Sequence, residues 1–414
     1  MADGLDRLLT VEEAVQAVLA RSKPLPPRQL DLADAQGCRL AENVEADLDM
    51  PPFDKAMMDG FAVRTADLAE GRNRLVVGEE IPAGRTPQQP LGVGEAASIM
   101  TGAPLPPGAD AVVMVERTRR EGNEVILEGP PVRLGQHWMP RGQEMRKGDV
   151  VLDKGSILNE AALGLLASVG RSQVLAVPIP RISIVPTGDE LVEAGVQPGP
   201  GQIRNSNAIT LEALARSAGA EATRLRIAPD EPDVLADRLE EGLATADLLL
   251  ITGGVSAGNR DLVPGVLQKL GVEQVFHKVQ IKPGKPLWFG VGPAQTGAAR
   301  PLVFGLPGNP VSGVVGFLVF VAPAIQALAD RPGNPNRRER LPLRGPFEQK
   351  GPRPTYYPAS LVESASTGTR EIELLPSVGS SDLRTVARAE GFAVFPSGDR
   401  RYQPGEVVDF LRMG

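Results

Sequence analysis

The sequence predicts an α/β plus β protein of several domains: a doubly wound, mostly parallel α/β domain, a β-rich inserted domain and a small C-terminal β domain. Three observations predict it. From residue 178, strand-length apolar runs alternate with helix-length amphipathic runs, the pattern of a parallel sheet covered on both faces. Between about 47 and 142, short apolar runs sit between Gly/Pro clusters and helical periodicity is weak. After 336, short strand-like runs return without comparable helices. At roughly 150 residues per domain, 414 residues suit two to four domains.

The chain opens on a helix. Thr10 and Glu13 form a capping box, and Val11, Ala14, Val15, Val18 and Leu19 fall on one face. Prolines from Pro24 to Pro27 end it. Strands are predicted at 74–77, 111–115 and 124–127, and a helix at 157–170 with Leu158, Ala162, Leu165 and Leu166 in line. The segment 47–142 is thus read as an insertion into a domain built from 1–46 together with 143–177. In the α/β domain, 178–330, strands are predicted at 181–185, 223–227, 247–251, 275–281 and 302–304. Helices are predicted at 205–217, 232–244, 262–270 and 311–329. The last run carries no charge and is long enough to span a membrane. Ser312, Gly313, Gly316, Pro323 and Gln326 interrupt it and no second span accompanies it, so a buried core helix is expected. Strands at 372–375, 392–395 and 407–410 complete a C-terminal domain over 336–414.

Composition narrows the chemistry. One cysteine, Cys38, excludes a disulfide within the chain. With two histidines, His137 and His277, it cannot build a Cys₄ or Cys₂His₂ zinc site or an iron–sulfur cluster. Catalysis would run on carboxylates, lysines, hydroxyls and backbone amides, and any metal would be a hard cation on oxygen ligands. The net charge of −7 argues against a dedicated nucleic-acid binder. Residues 331–354 carry seven positive and two negative side chains, net +5, and are read as a solvated linker entering a strand. No secretory leader pattern stands at the N-terminus, so a cytoplasmic protein is expected, with neither membrane nor nucleic acid as partner.

In doubly wound sheets ligands bind beyond the C-terminal strand ends. The loops there are PTGDE at 186–190, TGGVSAGNRD at 252–261 and GLPGNPVS at 305–312. Glycines let backbone amides approach a phosphate, and a helix N-terminus adds partial positive charge. Neither GxxxxGK[ST] nor GxGxxG occurs, which disfavours a Walker ATPase and an ordinary dinucleotide dehydrogenase. On a strand, Lys278, Gln280 and Lys282 would share one face, with Lys285 following a Pro-Gly turn: three lysines suited to an extended polyanion. Glu190, Asp230 and Asp261 fall in loops after strands, where carboxylates hold Mg²⁺ or act as bases. PPFDKAMMDGFAV at 51–63, TGAPLPPGAD at 101–110 and RGQEMRKGD at 141–149 are rigid Pro/Gly loops to which composition assigns no role.

These motifs, in this order and spacing, resemble the molybdopterin molybdenumtransferases, the bacterial MoeA proteins, and are similar to the E domain of gephyrin. PPFDKAMMDGFAV, MTGAPLPPGADAVV, RGQEMRKGD, PTGDELV, GQIRNSN, ITGGVSAGNRD, KVQIKPGKP and FGLPGNPVS carry the resemblance, from about residue 8 to 405. The later motifs also resemble the pterin-binding fold of molybdopterin adenylyltransferases; the first three do not. The resemblance implies insertion of molybdate into adenylylated molybdopterin with release of AMP, assisted by Mg²⁺, in an elongated four-part homodimer. The site would lie between the α/β domain of one subunit and the N-terminal domains of the other, with substrate supplied by the adenylyltransferase.

Carried over by position, the resemblance implies functional roles for Asp59, Thr101, Glu190, Asp230, Asp261, Lys278, Lys282 and Ser381, while Pro307 and Pro310 shape the last loop. Lys278 and Lys282 would hold molybdate or phosphate, with Lys285 near them. Asp230, Asp261 and Glu144 would place Mg²⁺, and Glu190 and Asp59 the reacting group. Gly253, Gly254 and Ser256 would cradle the pterin phosphate, with Ser312 in the last loop. Two departures stand out: Glu144 replaces the family's usual Asp, and Lys55-Ala56 replaces an amide and a hydroxyl. Rival readings are a pterin adenylyltransferase, a non-catalytic scaffold binding a partner's peptide, and a nucleic-acid role for 331–354.

Overall fold

The structure, a computed structural model, describes residues 8–255, 262–294, 299–331, 338–364 and 368–413. The chain divides into two compact units. One comprises Met1–Gln29, Gly37–Arg39 and Leu175–Gly414; the other comprises Leu30–Gln36 and Leu40–Val174.

The larger unit is built on a six-stranded sheet. Its strands are β1 (Arg181–Pro186), β2 (Glu221–Arg224), β3 (Leu248–Thr252), β4 (Glu273–His277), β5 (Trp288–Val291) and β6 (Leu302–Leu306), in the spatial order β2-β1-β3-β6-β5-β4. β1 pairs parallel with β2 and β3, and β3 pairs parallel with β6. β5 pairs antiparallel with β6 and with β4. The parallel part agrees with expectation. The antiparallel margin arises because β5, unforeseen in the sequence, returns directly after the KPGK turn with no crossover helix.

Helices cover the sheet through faces legible in the sequence. In α1 (Val11–Leu19) the capping box is present, with Glu13 N–H donating to Thr10 Oγ1 at 3.2 Å and Thr10 N–H to Glu13 Oε2 at 2.9 Å. Its Val11, Ala14 and Val18 are buried with Ile182, Ile184 and Leu250. Helix α1 and Leu25 after it therefore pack on the α/β core. α2 (Asn207–Ser217) buries Ala208, Leu211 and Ala215, and α3 (Pro232–Thr245) buries Leu235, Leu239 and Leu243. α4 (Val263–Lys269) buries Val263, Val266 and Leu267. α5 (Pro310–Leu328) widens to a π-helical stretch at Phe317–Val321. Among the described residues it alone is long and apolar enough to cross a membrane, but it lies within the core, as a helix apolar on all sides must.

The same unit carries an antiparallel five-stranded sheet: β7 (Arg338–Pro342), β8 (Thr355–Glu363), β9 (Arg370–Leu374), β10 (Gly391–Phe395) and β11 (Val407–Arg412), ordered β7-β11-β10-β8-β9. Its Tyr356, Phe392 and Leu411 join the core of the α/β part. β8 was not foreseen, because Pro358 in its middle argues against a strand. The basic stretch at 338–350 is partly neutralised within the fold: Arg338 pairs with Asp409, Arg344 with Glu373 and Lys350 with Glu348.

The second unit holds a six-stranded sheet whose strands run, in spatial order, Ala111–Met114, Gly60–Val63, Glu95–Ile99, Arg74–Ile81, Glu124–Leu127 and Thr118–Glu121. Helix Glu160–Ser168 follows, capped by Asn159.

Phe304 on β6 is fully buried, with its ring 4.7 Å from that of Phe289. Phe304→Ala should destabilise the protein by about 3–5 kcal/mol, read as a fall in the denaturation midpoint. A loss below about 1 kcal/mol would contradict this core assignment.

Candidate functional site

The parallel register sets the site. Pro186 pairs with Thr252 and Thr252 with Leu306, so β1, β3 and β6 end level. The chain leaves β1 for β2 on one side and returns to β3 on the other, a topological switch point that opens a crevice at the C-terminal edge. All three glycine-containing loops emerge there, as predicted.

Hydrogen bonds knit the loops together. Thr187 N–H donates to Thr252 C=O at 2.9 Å, Gly253 N–H to Leu306 C=O at 3.1 Å, and Gly188 N–H to Ala228 C=O at 3.1 Å. Gly253 has φ +97°, and a Cβ there would stand 2.4 Å from the Thr187 carbonyl oxygen. Gly254 has φ +61°, and its Cβ would meet Val263 at 2.8 Å. These glycines are demanded by close approach. The Thr187 hydroxyl beside them is buried with no hydrogen-bond partner among the described residues, an arrangement costing about 1–3 kcal/mol.

Two supporting residues went unassigned in the sequence. Asn207, at the start of α2, donates through Nδ2 to Thr252 Oγ1 at 3.0 Å and to Gly308 C=O at 2.8 Å, bridging the second and third loops. His277 Nε2 lies 2.8 Å from Val255 C=O. A carbonyl only accepts, so Nε2 carries the proton and anchors the second loop. The signal for Asn207 was its place in GQIRNSN; nothing marked His277.

Lys278, Gln280 and Lys282 do not continue a strand, contrary to expectation. β4 ends at His277, and Lys278 takes φ +100°, a left-handed geometry that side chains resist. The chain beyond stays extended enough to bury Val279 and Ile281 while leaving Lys282 and Lys285 exposed. Val279 N–H donates to Lys285 C=O at 3.0 Å, closing the KPGK turn. Pro310 is the first residue of α5 behind its N-cap Asn309. Pro307 and Ser312 are buried, with Ser312 backed against Gly284. Ser381 lies beside Ser380, whose carbonyl accepts from Val311 N–H in the first turn of α5 at 3.0 Å. Ser256 and Asp261 lie outside the described residues.

Glu190 is exposed, and its carboxylate folds against Gly188, where a Cβ would stand 2.3 Å from Oε2. Asp230 is also exposed, and its N–H donates to Asp189 Oδ1 at 2.9 Å. Among the described residues no three His, Cys, Asp or Glu side chains cluster as a metal cage. The acidic donors of this edge are all oxygen, which fits Mg²⁺, an ion that takes one or two carboxylates and completes its shell with water and phosphate.

In the other unit, the three unassigned loops converge. Ala56 N–H donates to Ala103 C=O and Gly102 N–H to Ala56 C=O, both at 2.9 Å, joining the first loop to the second. Gly142 N–H donates to Pro51 C=O at 2.9 Å, joining it to the third, and the preceding Met50 N–H donates to Met145 C=O at 2.8 Å. Asp59 accepts from Thr101 twice, from its N–H and its Oγ1, each at 2.7 Å. Gly60 is required: a Cβ would overlap the Val113 carbonyl at 1.9 Å. The two departures from the family pattern meet each other, with Lys55 Nζ 3.6 Å from Glu144 Oε1.

Three family models match the chain: the MoeA N-terminal region (domain I and II) at residues 9–170, the "Probable molybdopterin binding domain" at 183–327, and the MoeA C-terminal region (domain IV) at 340–413. The molybdopterin molybdenumtransferase of Bacillus subtilis is 35% identical, covering 97% of this chain and 94% of its own length. That of a Nostoc species is also 35% identical, covering 93% and 88%. The molybdopterin biosynthesis MoeA protein of Pyrococcus horikoshii, a crystal structure, is 29% identical with TM-score 0.74, covering 99% of this chain and all of that one.

Thr101's amide, and then its hydroxyl, hold the Asp59 carboxyl below the usual carboxylate range. A lowered folded-state value contributes stability above the unfolded value and loses it as pH falls through the folded one. Thr101→Val keeps the amide and removes the hydroxyl. The Asp59 carboxyl ¹³C titration should then move to higher pH, and an unmoved curve would contradict the pairing.

Proposed function

The chain belongs to the MoeA family of molybdopterin molybdenumtransferases, and on that premise we propose that its sheet edge inserts molybdate into adenylylated molybdopterin and releases AMP. The observation that carries the proposal is the level ending of β1, β3 and β6 in glycine loops tied by Asn207. Such an edge offers backbone amides to a phosphate without requiring a soft protein ligand.

In this reading Gly253 and Gly254, with Ser256, cradle the pterin phosphate, Gly254 offering its amide while that of Gly253 stays on Leu306 C=O, and Ser312, Ser381, Pro307 and Pro310 shape the wall around it. Lys278, Lys282 and Lys285 balance the charge of molybdate and of the two phosphates. Glu190 and Asp59 orient the reacting group, with Thr101 fixing the Asp59 carboxylate. Water attacks the phosphoanhydride between pterin phosphate and AMP, that P–O bond breaks and AMP leaves; the substrate's own dithiolene sulfurs replace two molybdate oxygens, which depart as water with the thiol and solvent protons. A chain with one cysteine and two histidines can do this because the soft ligands arrive with the substrate.

Mg²⁺ belongs to the proposal as a hard cation offered oxygen by Asp230, Asp261 and Glu144; when bound it would neutralise phosphate charge. Homodimerisation, through which the N-terminal carboxylates of one copy serve the α/β domain of the other, is proposed with it. So are delivery of substrate by a molybdopterin adenylyltransferase and a cytoplasmic location.

Gly253→Ala should weaken binding of adenylylated molybdopterin at least about tenfold, or about 1.4 kcal/mol, by calorimetric titration. Unchanged binding would remove the phosphate from this loop. Lys55→Asn tests the other departure. The pair is partly exposed, with side chains 29% and 45% accessible, so stability should change by less than about 1 kcal/mol. With the ammonium gone from Glu144, the Mg²⁺ concentration for half-maximal AMP release should fall; a rise would contradict a metal-side role for Glu144.

A further inference from the structure

The backbone of Lys282 is held by the C-terminal sheet. Its N–H donates to Pro354 C=O at 2.9 Å, and its C=O accepts from Tyr356 N–H at 2.8 Å. These bonds form a short parallel bridge between Lys282 and Thr355, at the start of β8. One residue earlier, Ile281 C=O accepts from the Arg353 guanidinium at 3.2 Å. Arg353 is itself fixed: its carbonyl accepts from Gln349 Nε2 at 2.9 Å, and Gln349 is buried. Arg353 forms no ion pair among the described residues, so its charge is directed at a backbone carbonyl, the stronger class of hydrogen bond.

The consequence lies with the lysine. Ile281 is buried and Lys282 exposed, so the chain at this point is anchored on its inner side while the ammonium faces outward. A lysine is a flexible four-carbon stem ending in a point charge. Fixing the base of the stem is the means by which a fold restricts where that charge can reach, and small misplacements of such a group are costly in rate.

We propose that Arg353 is a positioning residue for Lys282: by bonding Ile281 C=O it helps fix the lysine's backbone, so that the C-terminal domain acts on the reaction through that side chain. This rests on the role given to Lys282 under the proposed function.

The test is a double-mutant cycle in the full chain: Arg353→Met, Lys282→Ala and both together, with Arg353→Lys as the conservative variant. Steady-state kcat and KM for adenylylated molybdopterin are read beside thermal unfolding. Arg353→Met should keep the unfolding transition close to the parent's and lower kcat/KM tenfold or more. Arg353→Lys should recover part of that loss. In the Lys282→Ala background Arg353→Met should change kcat/KM less than twofold, because the side chain it positions is gone. An equal loss from Arg353→Met in both backgrounds would overturn the inference, as would parent kcat/KM in Arg353→Met beside an impaired Lys282→Ala. Parent kcat/KM in Lys282→Ala would instead overturn the role of Lys282 itself.

Discussion

Where β1 and β3 leave the sheet side by side, the backbone of Gly253 passes so close to Thr187 that no side chain fits between them. That approach is possible only because the strands end level, and they end level because their parallel register runs unbroken from Ile182 to Pro186 and from Leu248 to Thr252. The strands are buried on both faces, so a slip of one residue would turn core side chains into the wrong layer. Burial fixes register, and register brings three loops to one edge. The remaining arrangement follows: Asn207 reaches across from α2, His277 holds the second loop at Val255, and Pro310 starts α5 in the third.

Around this rigid edge stand groups whose placement comes from elsewhere. Lys282 is fixed by residues that open β8, and the first turn of α5 donates to a carbonyl in the loop preceding α6 (Leu383–Val386). That loop is pinned by Asp382, which accepts from Val378 N–H at 3.0 Å and from Thr385 Oγ1 at 2.7 Å. The C-terminal sheet and its loops are thereby tied to the C-terminal edge of the α/β sheet. In the second unit, Asp59 is rigid for a different reason. It is exposed, yet both a backbone and a side-chain donor of Thr101 hold it in one orientation and hold its carboxyl below the usual carboxylate range.

Much of this was legible before the structure. The alternation from 181 to 329, the capping box at Thr10 and the apolar faces of α2 and α3 follow from local periodicity. So does the placing of glycine loops after strands. Other features were not legible because they depend on distant partners. β5 is four residues of a KPGK return that only its neighbours make into a strand. β8 carries a proline that a single sequence reads as a breaker. Lys278 was expected to continue β4, and its left-handed backbone breaks the strand there instead. Asn207 and His277 look like an ordinary helix start and an ordinary strand residue until the loops they hold are in place. The joining of the three Pro/Gly loops is tertiary, and the Lys55–Glu144 pair shows two separate departures from a family pattern as one local exchange.

The measurement that tests the account most directly is AMP release by the purified full chain given adenylylated molybdopterin and Mg²⁺, with and without molybdate, alongside the molybdenum retained on pterin. AMP release should require molybdate and match the metal loaded, mole for mole. Adenylylated molybdopterin that stays bound and intact in the presence of molybdate would contradict it and leave a pterin-binding protein without the transfer.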